Sequence, residues 1–470
     1  MKNKNENKIN GTKLTFYGGA QEVTGSNYLL ETKSNGQKTK ILIDCGLVQG
    51  TKISEDKNDD PFLYDPSSVS GLFITHAHLD HIGKVPKLVK DGFRGKIFST
   101  PPTRDFAKLM LVDSLGIMEK EARRDKKKRT IYSESDVERA MSQWEVLDYH
   151  QELSLPAAGG GFKINFREAG HIMGSAMVEI ENKGKKILFT GDLGNPPNPL
   201  LRDMEKVTDI DFLVIESTYG DREHEKLSGA KLKLERTIEN TVRKDGVLMI
   251  PAFSLERTQK LLFQIDDLVE HGRIPRVPIF LDSPLAIKAT KIYKKYQRYY
   301  NENAKDIIRS GDELFQFPGL KMTIATEESK AINNVPPPKI IIAGSGMSNG
   351  GRIIHHELRY LPDRKNTLLL IGYQAAGSLG RMLQERMKSV RILGETVSVR
   401  ARVENIRGYS AHPDMNQLFD FVHNTADTVK KVFVVQGEPK SSLFFTQRLR
   451  DYLGVNAMVP KIGDSFELNV

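Results

Sequence analysis

The chain of 470 residues holds a single cysteine, Cys45. No intrachain disulfide can form, and such usage fits a reducing compartment. Cys45 follows Asp44 and the short apolar run Ile41–Ile43, where it reads as a small buried residue at a strand end. No stretch approaches the roughly 20 consecutive apolar residues of a membrane-spanning helix, so no membrane partner is expected. The opening residues MKNKNENKIN lack the apolar core of a secretory signal. These absences together point to a cytoplasmic location. Acidic residues are also in the minority: 60 Asp and Glu face 69 Lys and Arg, a net charge of +9. That balance suits a polyanionic partner, although a plain soluble surface can show it too. Internal repeats and low-complexity linkers are absent.

What is present is apolar material for more than one core, 39% of the residues, in a chain longer than one ordinary core organises. From Lys13 to about residue 100, short runs rich in β-branched and aromatic residues (KLTFYGG, NYLLET, TKILIDCG, GLFITHAH, GKIFSTPP) are broken by turns and read as strands. Residues 103–147 change to helical periodicity, the second helix opened by Ser and Asp as caps. Strands return at KINFREAGH, SAMVEIENKGKKILFTGD and DFLVIEST. After Glu216 the rhythm changes again. Helical stretches such as 227–244 alternate with GVLMIPAF, PIFLDSP, KIIIAGSG and NTLLLIGY, the βαβ pattern of a parallel sheet. A mixed stretch, 397–470, closes the chain. One α/β domain inserted into another accounts for this order.

The segment FITHAHLDHIG carries the densest chemistry. His76 and His78 stand two apart as the chain leaves a strand, so both side chains project to one side and can share an ion; Asp80 and His81 follow for a second. Imidazole and carboxylate are ligands suited to zinc, and two such ions ~3.5–4 Å apart make a hydrolytic centre. Later strand ends offer more ligands: His171 in EAGHIMGSA and Asp192 in ILFTGDLG, each flanked by glycines that allow close backbone approach. Asp44, in ILIDCG, suits a carboxylate that orients a ligand from behind.

The series Asp44, His76-x-His78-x-Asp80-His81, His171, Asp192 resembles the motifs of the metallo-β-lactamase superfamily, whose fold is a four-layer αβ/βα sandwich. The resemblance implies that His76, His78 and His171 hold one zinc, that Asp80 and His81 hold a second, and that Asp192 bridges them. Farther on, VIESTYGDREH supplies Glu216, GYSAHPD supplies His412, and between them lie IPAFSLERTQ, LDSPLA, IIAGSGMSNGGRIIHHE and LIGYQAAGSLGR. This arrangement is similar to the β-CASP nucleases of that superfamily, over roughly residues 13–470. It implies a metallo-β-lactamase domain in two parts, residues 1–218 and 396–470, the latter an RNA-specificity segment, around an inserted β-CASP α/β domain, 219–395, with a mainly parallel sheet.

The expected activity is zinc-dependent hydrolysis of RNA phosphodiester bonds, internally or from the 5′ end, with single-stranded RNA as partner. Asp80, Glu216 and His412 are the candidate catalytic residues, His412 donating a proton and Glu216 orienting it. Ser345, Gly346, Arg352 and Arg381, in glycine-rich turns, are the candidates for contact with the RNA backbone. His355 and His356, inside the following helix, read as packing or surface residues. Gln436, in VFVVQGEP, departs from the resemblance, which places a histidine there to complete the second zinc shell. An amide oxygen is a poorer ligand than imidazole, so the second ion is expected to bind more weakly. The departure also opens two alternatives, an RNA-binding subunit with an impaired metal site and a nuclease acting on DNA. A homodimer, common among such relatives, is not decided by any residue pattern.

Overall fold

The computed structural model describes residues 11–34, 37–50, 56–126, 128–156, 161–225, 227–375, 377–406 and 408–468. The polar N-terminal stretch read above lies outside them. Strands are numbered in chain order: β1 (Gly11–Gly18), β2 (Asn27–Ser34), β3 (Gln37–Ile43), β4 (Gly71–Phe73), β5 (Lys96–Ser99), β6 (Trp144–Val146), β7 (Leu153–Leu155), β8 (Phe162–Glu168), β9 (Ala176–Asn182), β10 (Lys185–Phe189) and β11 (Phe212–Glu216). They continue as β12 (Val247–Pro251), β13 (Ile279–Asp282), β14 (Leu320–Met322), β15 (Lys339–Ala343), β16 (Thr367–Ile371), β17 (Ser389–Ile392), β18 (Glu395–Ser398), β19 (Arg402–Ile406), β20 (Lys431–Val435), β21 (Ala457–Met458) and β22 (Ser465–Leu468).

Two compact units emerge. The first comprises residues 1–196, 203–223 and 412–470, the second residues 197–202 and 224–411. The second therefore continues past 395, the end expected for the insertion. The reason is β19, which pairs in parallel with β16, Leu368 opposite Val403, and so carries residues beyond 396 into the inserted sheet.

In the first unit, two seven-stranded sheets run β22-β1-β2-β3-β4-β5-β6 and β21-β20-β11-β10-β9-β8-β7. Alternation along the strands explains how they meet. Leu14 and Phe16 of β1, Tyr28 and Leu30 of β2, and Ile41 and Ile43 of β3 share a core with Phe162, Ile164 and Phe166 of β8 and Val178 and Ile180 of β9. The intervening residues of β9, β10 and β11, such as Met177, Leu188, Leu213 and Ile215, face a separate core with Leu418, Phe421, Phe445 and Leu449. Those four belong to the helices Met415–His423 and Pro439–Leu453. On the other sheet the helix Pro101–Arg124 packs against β6. The order helix, sheet, sheet, helix gives the four layers. The helix Glu134–Ser142 starts as its sequence requires: Ser133 caps it, and Asp136 Oδ2 accepts the Ser133 N–H at 2.8 Å.

The second unit holds an all-parallel sheet, β14-β13-β15-β12-β16-β19, and a separate antiparallel hairpin, β17-β18. Every residue of β12, β15 and β16 is buried, as expected of strands covered on both faces. Among the described residues no helix is long and apolar enough to cross a membrane.

Asp282, at the end of β13, is the polar node of this unit. Its fully buried carboxylate accepts hydrogen bonds from Arg352 Nη1 at 2.7 Å, His356 Nε2 at 2.8 Å, Ser329 Oγ at 2.7 Å and Thr323 Oγ1 at 2.8 Å. Burial alone would push its carboxyl up, but these donors hold it well below the ordinary carboxylate range. The contribution is thus present above that range and lost as pH falls through the folded value. Asp282→Ala should destabilise the protein by about 3 kcal/mol, because it strands the buried His356 donor and removes the carboxylate partner of half-buried Arg352. Urea unfolding measures this, and an unchanged midpoint would contradict the role.

Candidate metal centre

Six strand ends converge in the first unit. Asp44 follows β3, His76 and His78 follow β4, His171 follows β8, Asp192 follows β10, Glu216 ends β11 and Gln436 follows β20. Asp80 and His81 lie on the single turn Leu79–Ile82 immediately after His78. Two close backbone approaches make this possible. A Cβ on Gly46 would lie 1.6 Å from the Asp80 carbonyl oxygen, and one on Gly194 would lie 2.1 Å from the Gly170 carbonyl oxygen.

His78 Nδ1 lies 3.0 Å from His76 Nε2 and 3.3 Å from His171 Nε2. Asp192 Oδ2 is 3.4 Å from His76 Nε2 and 3.6 Å from His171 Nε2. All four ligand atoms fall within 4.8 Å of one another. Tetrahedral ligands at about 2.0–2.1 Å from a zinc stand roughly 3.3 Å apart, so the spacing is that of a coordination shell. Burial, reinforced by the neighbouring imidazoles, holds His78 and His171 well below the ordinary histidine value. Neutral rings with lone pairs facing one another are mutually repulsive; a cation among them removes the repulsion. Burial would push Asp192 up, but His81 and His76 hold its carboxylate well below its usual range. The donor set therefore fits a divalent metal ion.

A layer of residues behind these ligands sets their tautomers. Asp44 Oδ2 accepts from His81 Nδ1 at 2.7 Å and from Thr75 Oγ1 at 2.8 Å, while Asp44 Oδ1 accepts the Thr75 N–H at 2.8 Å. Thr75 Oγ1, its hydrogen directed to Asp44, lies 3.1 Å from His76 Nδ1 and can accept that ring's proton. Both rings would then turn an Nε2 lone pair to a bound ion, although without one Asp192 and Asp44, outweighing burial, hold His81 well above the ordinary histidine value. Thr75 went unnoticed in the sequence because threonine between apolar and histidine residues has no distinguishing pattern; its place beside His76 was the available clue.

His81 Nε2 lies 3.2 Å from Asp192 Oδ1 and 4.0 Å from Asp80 Oδ2, the atoms a second ion would use. The buried Gln436 enters the same space. Its Nε2 donates to Asp192 Oδ1 at 2.6 Å and lies 2.9 Å from His81 Nε2. Next to the first cluster, His412 Nδ1 lies 3.0 and 3.2 Å from the two Glu216 oxygens and 4.0 Å from Asp192 Oδ2. Glu216 is fixed in turn by the Leu193 N–H, donated to its Oε1 at 2.7 Å.

The residues expected to meet RNA belong to the second unit. Ser345 Oγ is buried without a hydrogen-bond partner. Gly346 is required, since a Cβ there would lie 2.6 Å from the Phe253 ring. Arg352 differs from its expected role: its guanidinium is engaged by Asp282, by Thr323 O at 3.0 Å and by Ile324 O at 2.7 Å, and so serves the Asp282 node. Arg381 makes an exposed contact with Glu385 at 2.6 Å. His356 is the packing residue expected, and His355 is exposed.

Comparison with known proteins agrees with this architecture. Residues 34–208 match the family model described as the metallo-beta-lactamase superfamily domain, residues 258–383 the Beta-Casp domain, and residues 396–460 the Zn-dependent metallo-hydrolase RNA specificity domain. A ribonuclease of Thermus thermophilus is 37% identical over 92% of this chain and 94% of its own. The chain belongs to the β-CASP ribonuclease family of the metallo-β-lactamase superfamily. An RNase J-like protein of Methanocaldococcus jannaschii is 33% identical over 96% of this chain and 98% of its own. Transcription termination factor FttA of Methanosarcina mazei is 31% identical over 91% of this chain and 67% of its own. Among solved structures, a protein of unknown function from Enterococcus faecalis shares the fold, with a TM-score of 0.54 at 12% identity over 97% of this chain and all of its own.

Because the ligands bind as neutral imidazoles and carboxylates, protons compete with the ion. The depressed values of His78 and His171 keep those rings neutral at lower pH than free histidine. The metal equivalent held by His76, His78, His171 and Asp192 should therefore survive equilibrium dialysis through about pH 6.5, the ordinary histidine value, and fall only below it. Loss beginning above that pH would contradict the assignment.

Proposed function

We propose that the chain is a zinc-dependent ribonuclease that hydrolyses phosphodiester bonds of single-stranded RNA. The observation that carries this reading is the His412–Glu216 pair, 3.0 Å across, beside the cluster of His76, His78, His171 and Asp192. A metal ion held there supplies positive charge for the phosphate oxygens and acidifies a water. The chain's own residues supply the rest. Asp192 reaches both halves of the centre, its Oδ2 towards His76 and His171 and its Oδ1 towards His81. Glu216 faces His412 Nδ1 and stabilises the charged ring, so the opposite nitrogen, Nε2, is assigned the proton for the departing ribose oxygen. The ring is held in place by this carboxylate, which is itself tied to the backbone at Leu193.

The occupancy of the two positions differs in this reading. His76, His78 and His171 with Asp192 make the tight zinc position. The second, around Asp80, His81 and Asp192, is weaker because the Gln436 amide shares His81 Nε2 and Asp192 Oδ1 with any ion placed there. On the substrate side, the buried Ser345 hydroxyl, the Gly346 backbone and exposed Arg381 are the proposed contacts with RNA phosphates. The names of the Thermus and Methanocaldococcus relatives support the substrate class, and the lone Cys45 supports a cytoplasmic setting.

Purified protein should cut single-stranded RNA, lose that activity in EDTA, and lose it in His78→Ala and Asp192→Ala; full cleavage by both variants would sink the proposal. His412→Ala should lower kcat by about 10²–10⁴-fold with metal content unchanged, as a general acid predicts. Gln436→His should raise the zinc content towards two per chain, whereas unchanged content would place Gln436 outside the second shell.

A further inference from the structure

The second unit carries a concave site built from none of the residues of the metal centre. A cavity of about 360 Å³ lies between the turn after the helix Leu379–Gln384 and β19. This is near the lower end of the volumes of ligand sites, about 300–1,000 Å³. Arg386, Lys388 and Arg402 line it together with Val399, Ala401 and Val403. Its walls are set by main-chain bonds. Arg386 N donates to Leu383 O at 3.0 Å, Val399 N to Lys388 O at 2.8 Å, Ala401 N to Leu361 O at 2.9 Å and Arg402 N to Asn366 O at 3.0 Å. The cationic side chains thus stand on a backbone already fixed.

The charge balance of the cavity is incomplete. Glu404, which also lines it, is engaged by Arg402, and nearby Arg381 is engaged by Glu385. Among the described residues, Arg386 and Lys388 make no side-chain hydrogen bond or ion pair. Two cations without counter-ions, brought to one concavity with a third beside them, raise a local positive potential that an anion relieves. Residues 399–404 fall inside the stretch matched by the RNA specificity domain.

We propose that this cavity is an RNA-holding exosite, in which Arg386 and Lys388 take a phosphodiester group of the strand beside the Arg402–Glu404 pair. The inference rests on the ribonuclease reading for its ligand. Phosphate could also arrive on a free nucleotide, and the experiment separates the two sources.

R386A/K388A is the test variant; both side chains are exposed, so its melting temperature should match the wild type. Binding of a long, labelled single-stranded RNA is measured in EDTA across a salt series. Loss of the one phosphate held there should reduce the slope of log K against log salt by about 0.7. With metal restored, KM for the long RNA should rise severalfold while kcat stays constant. An unchanged slope and KM would overturn the exosite. So would AMP binding that the variant loses while its RNA affinity is kept, since the site would then serve free nucleotides. A wild-type protein that binds RNA but never cuts it would retire the ribonuclease reading alone, because the binding arm needs no cleavage.

Discussion

Three imidazole nitrogens and a carboxylate oxygen, all within 4.8 Å of one another and mostly buried, are a costly arrangement for a protein to build. Lone pairs turned inward as ligands repel, and burial leaves little water to screen them. A divalent cation would turn the same geometry from repulsive to attractive. Much of the first unit follows from that constraint. The two sheets place six strand ends at one edge, Gly46 and Gly194 let the loops close behind the ligands, and Asp44 with Thr75 aligns the rings. Glu216 and His412 lie next to this cluster, 3.0 Å from each other, and in the proposed reading the histidine handles a proton.

Gln436 shows how one side chain alters such a centre without dismantling it. Its amide satisfies Asp192 and lies against His81, so the second half of the cluster is internally balanced in a way the first half is not. In the proposed reading, the first position needs an ion and the second only admits one. Charge demand, more than the count of ligands, distinguishes the two.

The site was more legible in the sequence than the domain boundaries. Asp44, His76, His78, His171 and Asp192 could be found because each follows an apolar strand and is marked by neighbouring glycines or by the H-x-H spacing. Glu216 and His412 are 196 residues apart, and no local pattern joins them; the family resemblance did. Thr75 and the Leu193 N–H were invisible because hydrogen-bond geometry has no spacing rule. Strands β6, β7, β14 and β21 run only two or three residues, too short for a period-two pattern to register. The run VSVRARVENI read as part of the returning domain, yet β19 joins the inserted sheet, because strand pairing over long range outweighs order along the chain. Arg352 looked like a phosphate ligand from its glycine-rich setting, and only the buried Asp282 carboxylate, remote in sequence, shows why it is otherwise engaged.

The most direct test of the account is zinc-edge X-ray absorption on the purified protein loaded with one equivalent of zinc. The account predicts a shell of nitrogen and oxygen at about 2.0–2.1 Å, with the outer scattering of three imidazoles and no sulfur. A zinc bound by fewer than two imidazoles, or one carrying a sulfur ligand at about 2.3 Å, would contradict it.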